Sequence, residues 1–258
     1  MTMANGFIWY ELMTSDPEAA ASFYEKTVGW TAADSGHPDV RYTIFSNAAR
    51  GVAGMMEIPE APRQAGARPL WIGYIGVDDV DAACGRLEQA GGTVHKQPAD
   101  IPEVGRFAMV ADPHGAMFVL MTPRPMENPP EPLPRMTPGG AGWHELYAGD
   151  GDAAFHFYAG QFGWSEVGGV DMGPMGVYRL WAAGGDEAMG GMMTKQPQFP
   201  RPMWIFYFVV DGIDAAAERV EANGGTIRMG PMEVPDGSWV FQATDPQGAL
   251  FALVSRTR

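Results

Sequence analysis

With 258 residues and 46% hydrophobic side chains, the chain has the material for a sizeable core, which excludes a disordered class. Its net charge of -14 argues against nucleic acid or anionic membrane as partners, since both are polyanions. A single cysteine, Cys84, leaves no disulfide framework within the chain, and the apolar run from Trp204 to Val210 is far too short for a membrane-spanning helix. The opening "MTMANGFIWYEL" lacks a basic, then apolar, leader pattern, so a cytoplasmic protein is expected.

Residues 6–14, "GFIWYELMT", alternate as a strand does. Ser15-Asp16-Pro17-Glu18 supplies a cap, a proline near the first turn and an early acid, so a helix should run to about Val28 and stop at Gly29. "RYTIFS" and "GVAGMMEI" read as short strands. The pattern restarts at "LWIGYIGV", followed by a helix from about Asp79 to Ala90 and a Gly91-Gly92 stop. Strands at "GRFAMVAD" and "AMFVLM" close this stretch. Between them, Asp112-Pro113-His114-Gly115 has the residue order of a type I turn.

The second half repeats the first. Trp9-Glu11-Leu12 returns as Trp143-Glu145-Leu146, Phe23-Tyr24 as Phe157-Tyr158, and Gly29-Trp30 as Gly163-Trp164. "PLWIGYIGVDDVDAACGRLEQAGGTV" from Pro69 matches "PMWIFYFVVDGIDAAAERVEANGGTI" from Pro202, and "DPHGAMFVL" matches "DPQGALFAL". A duplicated domain explains this better than a solenoid repeat. The halves cover 1–121 and 141–258. The segment 122–140 between them carries seven prolines and reads as an extended spacer, long enough to let the halves dock as an internal pseudo-dimer. Each half is itself two βαβββ units, so the expected fold class is α+β with four such modules.

Two βαβββ units per half, "FY" then "VGW" at the first helix, and "DPHG" before the last strand together resemble the vicinal oxygen chelate superfamily of glyoxalases, bleomycin-resistance proteins and extradiol dioxygenases. The tandem "W-x-E-L" arrangement is similar to a two-domain branch labelled glyoxalase or hydroxylase. The resemblance covers nearly the whole chain outside the spacer. It implies curved mixed sheets forming cups, with helices outside. In metal-dependent members a divalent ion sits in the cup on His, Gln or Glu side chains of the first, fifth and last strands of a half. Those positions fall here on Trp9 and Trp143, Ile72 and Ile205, and Val119 and Ala252. None of these side chains can act as a His or carboxylate ligand. The chain departs from the metalloenzyme pattern, so no cofactor is expected, with a divalent metal left open.

Alternation along the strands puts Trp9, Glu11 and Met13 on the cup side and Ile8, Tyr10 and Leu12 on the helix side. The second copy gives Trp143, Glu145 and Tyr147. The fifth strands add Tyr74 and Tyr207, and the Met55-Met56 and Met192-Met193 pairs add Met56 and Met193. The ligand-binding candidates are therefore Trp9, Glu11, Tyr74, Trp143, Glu145, Tyr207, Met56 and Met193. Glu11 and Glu145 are the candidates for acid/base catalysis, because an apolar cup disfavours the charged carboxylate and raises its pKa. A structural role bonding backbone or arginine weighs evenly against this. The histidines do not cluster, and His144 is expected to form a core pair with His156. The expected partner is a small, partly apolar molecule. Sequestration, as in the resistance branch, stands first, and enzymatic turnover in the same superfamily is the alternative.

Overall fold

The chain is described by a computed structural model over residues 5–37, 40–127, 131 and 133–258. The spacer residues 128–130 and 132 lie outside the described residues. The first half contains β1 (Phe7–Thr14), α1 (Pro17–Val28), β2 (Thr31–Asp34), β3 (Tyr42–Ser46), β4 (Gly51–Glu57), α2 (Glu60–Gln64), β5 (Leu70–Gly76), α3 (Val80–Gln89), β6 (Thr93–Ile101), β7 (Gly105–Ala111) and β8 (Met117–Pro123). The second half contains β9 (Ala141–Ala148), α4 (Gly151–Phe162), β10 (Ser165–Asp171), β11 (Val177–Ala182), β12 (Gly190–Thr194), β13 (Met203–Val209), α5 (Ile213–Ala222), β14 (Thr226–Glu233), β15 (Trp239–Thr244) and β16 (Leu250–Ser255).

Each half forms one eight-stranded mixed sheet, in the orders β2-β3-β4-β1-β5-β8-β7-β6 and β10-β11-β12-β9-β13-β16-β15-β14. The fold is α+β with four βαβββ modules. Its helix signals act locally as expected: Asp16 caps α1 by accepting from Ala19 N, and Gly29 ends it with φ 86°. Asp79 caps α3 in the same way, and Asp150 caps α4. The edge strands β6 and β14 carry Pro98 and Pro231, which lack the donor an inner strand needs. Among the described residues no helix is long and apolar enough to cross a membrane.

The chain condenses into two compact units, and each draws on both halves. One takes the chain up to Ile8, the stretch from Gly73 into the spacer, and His144–Trp204; the other takes Trp9–Ile72, Leu133–Trp143 and Ile205–Arg258. In the second of these, α1 packs on α5, and the Arg219 guanidinium donates to the carbonyl of Thr27 at 3.2 Å. Its core is aromatic: the Tyr24 ring meets Trp30, Phe45, Trp71 and Phe251, and Phe208 meets Trp30 and Trp71. The other unit repeats the design with Tyr158, Trp164, Trp181, Trp204 and Phe118; Trp164 and Trp181 stack at 3.8 Å.

A buried hydrogen-bond chain runs through each core. Trp71 Nε1 donates to the Tyr24 hydroxyl at 2.8 Å, and that hydroxyl donates to Asp245 Oδ2 at 3.0 Å. In the other unit Trp204 Nε1 donates to the Tyr158 hydroxyl, which donates to Asp112 Oδ2. The remaining Oδ1 of each aspartate accepts two amides of its own turn, His114 N and Ala116 N for Asp112, Gln247 N and Ala249 N for Asp245. Both turns close with the expected backbone bond from the glycine amide to the aspartate carbonyl.

His144 differs from the expected histidine pair. Its ring is buried, lies 2.8 Å from the Met189 carbonyl through Nδ1 and stacks on Phe7 at 4.8 Å, whereas His156 is exposed and bonds the Asp152 carbonyl of its own helix. Ile8 also departs from simple alternation: it is exposed, while the neighbouring Phe7 is buried beside His144, Trp164, Trp181 and Trp204.

Candidate functional site

The parallel pairing of β1 with β4 sets Glu11 opposite Gly54 and Met13 opposite Met56, and the antiparallel pairing of β3 with β4 sets Tyr42 opposite Met56. Tyr42 lies over Gly54: a Cβ built on that glycine would overlap the phenol. The missing side chain lets the tyrosine lean across β4 toward β1. There its hydroxyl accepts from Trp9 Nε1 at 3.0 Å and donates to the Glu11 carboxylate. Burial, and then the Glu11 charge, hold the Tyr42 phenol far above its ordinary pKa, so it remains a donor at any physiological pH. Glu11 is buried, while Trp9, Tyr42 and Met56 are half-buried and present an aromatic and thioether surface beside the carboxylate.

The second half repeats the element that makes this possible. Glu145 pairs in register with Gly191, and the Tyr178 ring lies over Gly191 closely enough to exclude any Cβ there. This copy is more closed. Tyr147 and Met193 are buried, and the Phe199 ring packs on Tyr147 at 4.4 Å, with Lys195 Nζ donating to the Phe199 carbonyl at 2.9 Å.

Trp143 is half-buried under the Arg135 guanidinium, 5.4 Å from its ring centre. Tyr74 is buried in β5 opposite Val119. Tyr207 is buried and accepts from Gln242 Nε2 at 2.8 Å. Met55 and Met192 are core, leaving Met56 as the accessible member of its pair. Arg106 is held on the surface by Asp81 and Asp100, and Glu57 by Arg63. Among the described residues no three His, Cys, Asp or Glu side chains gather in a way that could hold a metal ion.

Sequence reasoning missed Tyr42 and Gly54. Their signal was the duplication itself: Tyr42 and Tyr178 occupy matching places in the two halves, as do Gly54 and Gly191.

The model of the Glyoxalase/Bleomycin resistance protein/Dioxygenase superfamily matches residues 6–120 and again 140–253. The chain is 33% identical over 258 residues to the anthracycline biosynthesis protein DnrV of Streptomyces peucetius, covering 95% of this chain and 91% of that one. Among solved structures, it resembles the 2,3-dioxygenase LapB from Pseudomonas sp. KL28, with a TM-score of 0.67 at 14% identity, over 98% of this chain and 92% of that chain. It also resembles the Mn(II)-bound glyoxalase from Novosphingobium aromaticivorans, with a TM-score of 0.66 at 15% identity, over 100% of this chain and 84% of that chain.

Proposed function

The chain belongs to the glyoxalase, bleomycin resistance protein and dioxygenase superfamily, and from that premise we propose that it binds a small hydroxylated aromatic molecule against the Trp9–Glu11–Tyr42 surface without a divalent ion. The observation that carries this reading is the bonded chain from Trp9 through Tyr42 to Glu11. It fixes a carboxylate beside an aromatic face, where a charge-assisted hydrogen bond from a ligand hydroxyl is strong. A phenol or enol of the ligand would donate to Glu11 while its ring lies on Trp9 and Met56. The relative DnrV is named for anthracycline biosynthesis, and anthracyclines are hydroxylated polycyclic aromatics of this kind. The more closed second copy, with Phe199 on Tyr147, supports assigning the ligand to the first.

The donor set does not fit a divalent ion. Trp9, Ile72 and Val119, with Trp143, Ile205 and Ala252, stand where the family's metal ligands fall, and none offers an imidazole or carboxylate. Glu11 would hold or accept a ligand proton, so the same geometry serves sequestration or metal-free acid/base turnover.

Quenching of tryptophan fluorescence by a hydroxylated anthraquinone tests the reading. Glu11→Gln should weaken binding by roughly tenfold, the scale of one charge-assisted hydrogen bond, and Glu145→Gln should leave it unchanged. Equal affinity in Glu11→Gln and the native protein would reject it. Turnover that persists in a chelator would support metal-free catalysis, and its loss in Glu11→Gln would assign it to the same site.

A further inference from the structure

Away from that surface, a cavity of about 320 Å³ opens where five chain segments meet within one unit. Lys26, Val28 and Gly29 come from the end of α1, Asn47 and Ala48 from the β3–β4 turn, Pro138 and Gly139 from the spacer, Val210 and Asp211 from the link that follows β13, and Arg219 from α5.

We infer that this cavity is a binding site for a small hydroxycarboxylate, with its carboxylate toward Lys26 and Arg219 and its hydroxyl toward Asp211. Two cations against one anion make the lining net positive on a chain whose net charge is -14. Arg219 spends Nε and Nη2 on the Thr27 carbonyl, at 3.4 and 3.2 Å, which fixes the guanidinium and leaves Nη1 for a ligand. Neither Lys26 nor Arg219 is ion-paired to a carboxylate among the described residues.

The walls are built rather than incidental. Asn47 Nδ2 donates to the Pro138 carbonyl at 3.2 Å, and its Oδ1 accepts from Ala49 N and Arg50 N. Trp30 Nε1 donates to the Gly139 carbonyl at 2.8 Å. Gly139 has φ 75°, and a Cβ there would come within 2.9 Å of both Asn47 and Trp30, so the spacer fits this wall only as glycine. Val28, Ala48, Pro138 and Val210 give the apolar remainder that suits a short carbon chain.

The duplication supplies an internal comparison. Arg219 and Asp211 have counterparts in Arg86 and Asp78, but Lys26 corresponds to Gly160. A feature needed only for folding would be copied with the rest; the second cation is present once.

Ligand-observed NMR titration with glycolate, acetate and inorganic phosphate tests the assignment. Glycolate should bind saturably and weaken with added salt. Acetate, lacking the hydroxyl, should bind several-fold more weakly, and phosphate more weakly still because its second charge faces Asp211. Lys26 is exposed, so Lys26→Glu should fold normally and lose glycolate binding by tenfold or more, on the scale of a reversed charge-assisted contact. The same variant should keep the anthraquinone quenching, which separates this site from the Trp9 surface. Absence of saturable glycolate binding, equal binding by Lys26→Glu, or phosphate binding as tight as glycolate would each overturn it.

Discussion

The Tyr24 hydroxyl donates to Asp245 Oδ2 at 3.0 Å, joining the first helix of one half to the last turn of the other. The relationship is copied as Tyr158 to Asp112, so each Phe-Tyr motif serves the Asp-Pro-x-Gly turn of the opposite half. Burial pushes both aspartate carboxyls up from their ordinary range, and burial with the aspartate charge pushes both phenols up. The turn amides and the tyrosine hydroxyl offset that desolvation, which makes the bond a fastening between halves and not a surface decoration.

Tyr24→Phe keeps the ring and removes the hydroxyl, leaving Trp71 Nε1 without its acceptor and Asp245 without one donor. The expected cost is about 1–3 kcal/mol, the range for buried polar groups left unsatisfied. Tyr158→Phe should cost a similar amount, and the double variant roughly the sum, because the two chains share no residue. Urea unfolding of the three proteins measures this. Native stability in Tyr24→Phe would refute the fastening role.

Gly54→Ala should dislodge Tyr42, because the new methyl occupies the space of the phenol. Overpacking of this kind costs roughly 1–3 kcal/mol. The informative result is comparative: anthraquinone binding should fall in Gly54→Ala as far as in Tyr42→Phe. Retained binding in a folded Gly54→Ala protein would mean that the Tyr42 position does not matter to the ligand.

Much of the fold was legible because its signals are local. Asp16, Pro17 and Gly29 specify the ends of α1 with no knowledge of the rest, and Asp112 to Gly115 specify a turn. The edge strands Thr31–Asp34 and Thr93–Ile101 were harder to see, since exposed strands with polar residues and a proline carry little alternation. The pairing of Tyr24 with Asp245 was not legible at all. Both motifs were visible as repeats, but which half each one serves depends on how the modules assemble. The site was half legible for a similar reason. Strand alternation finds Glu11 and Trp9 on one strand, whereas Tyr42 reaches them only because Gly54 on an intervening strand has no side chain.

Protein purified without a metal-affinity tag should contain far less than one Zn, Fe, Mn or Ni per half by elemental analysis. The argument is donor chemistry: an indole and aliphatic side chains at the inherited ligand positions have no lone pair suited to these ions. Loading with each metal in turn should leave melting temperature unchanged, since an ion bound only by the folded state would raise it. One tightly held ion per half, retained through dialysis, would sink the metal-free reading.

His144 sets an expected acid limit on stability. Burial lowers its pKa to about 4 from an ordinary 6.5, against a smaller opposing effect of the Met189 carbonyl. The unfolded chain takes up this proton near the ordinary value, while the folded protein resists until about pH 4. The stabilisation is therefore fully present above pH 6.5 and is lost as pH falls toward 4. At 1.36 kcal/mol per pKa unit, the loss across that window is roughly 3 kcal/mol. The buried Asp112 and Asp245 act in the opposite sense, because carboxyls with raised pKa favour the folded state as they become protonated. They are present in both proteins when the native chain is compared with His144→Gln, so the difference isolates the imidazole. His144→Gln should be less stable at neutral pH, having lost the stack on Phe7, yet its stability should fall less between pH 6.5 and 4. Unfolding curves at half-unit pH intervals measure the two slopes, and parallel profiles would show that His144 protonates as readily in the folded protein as in the unfolded chain.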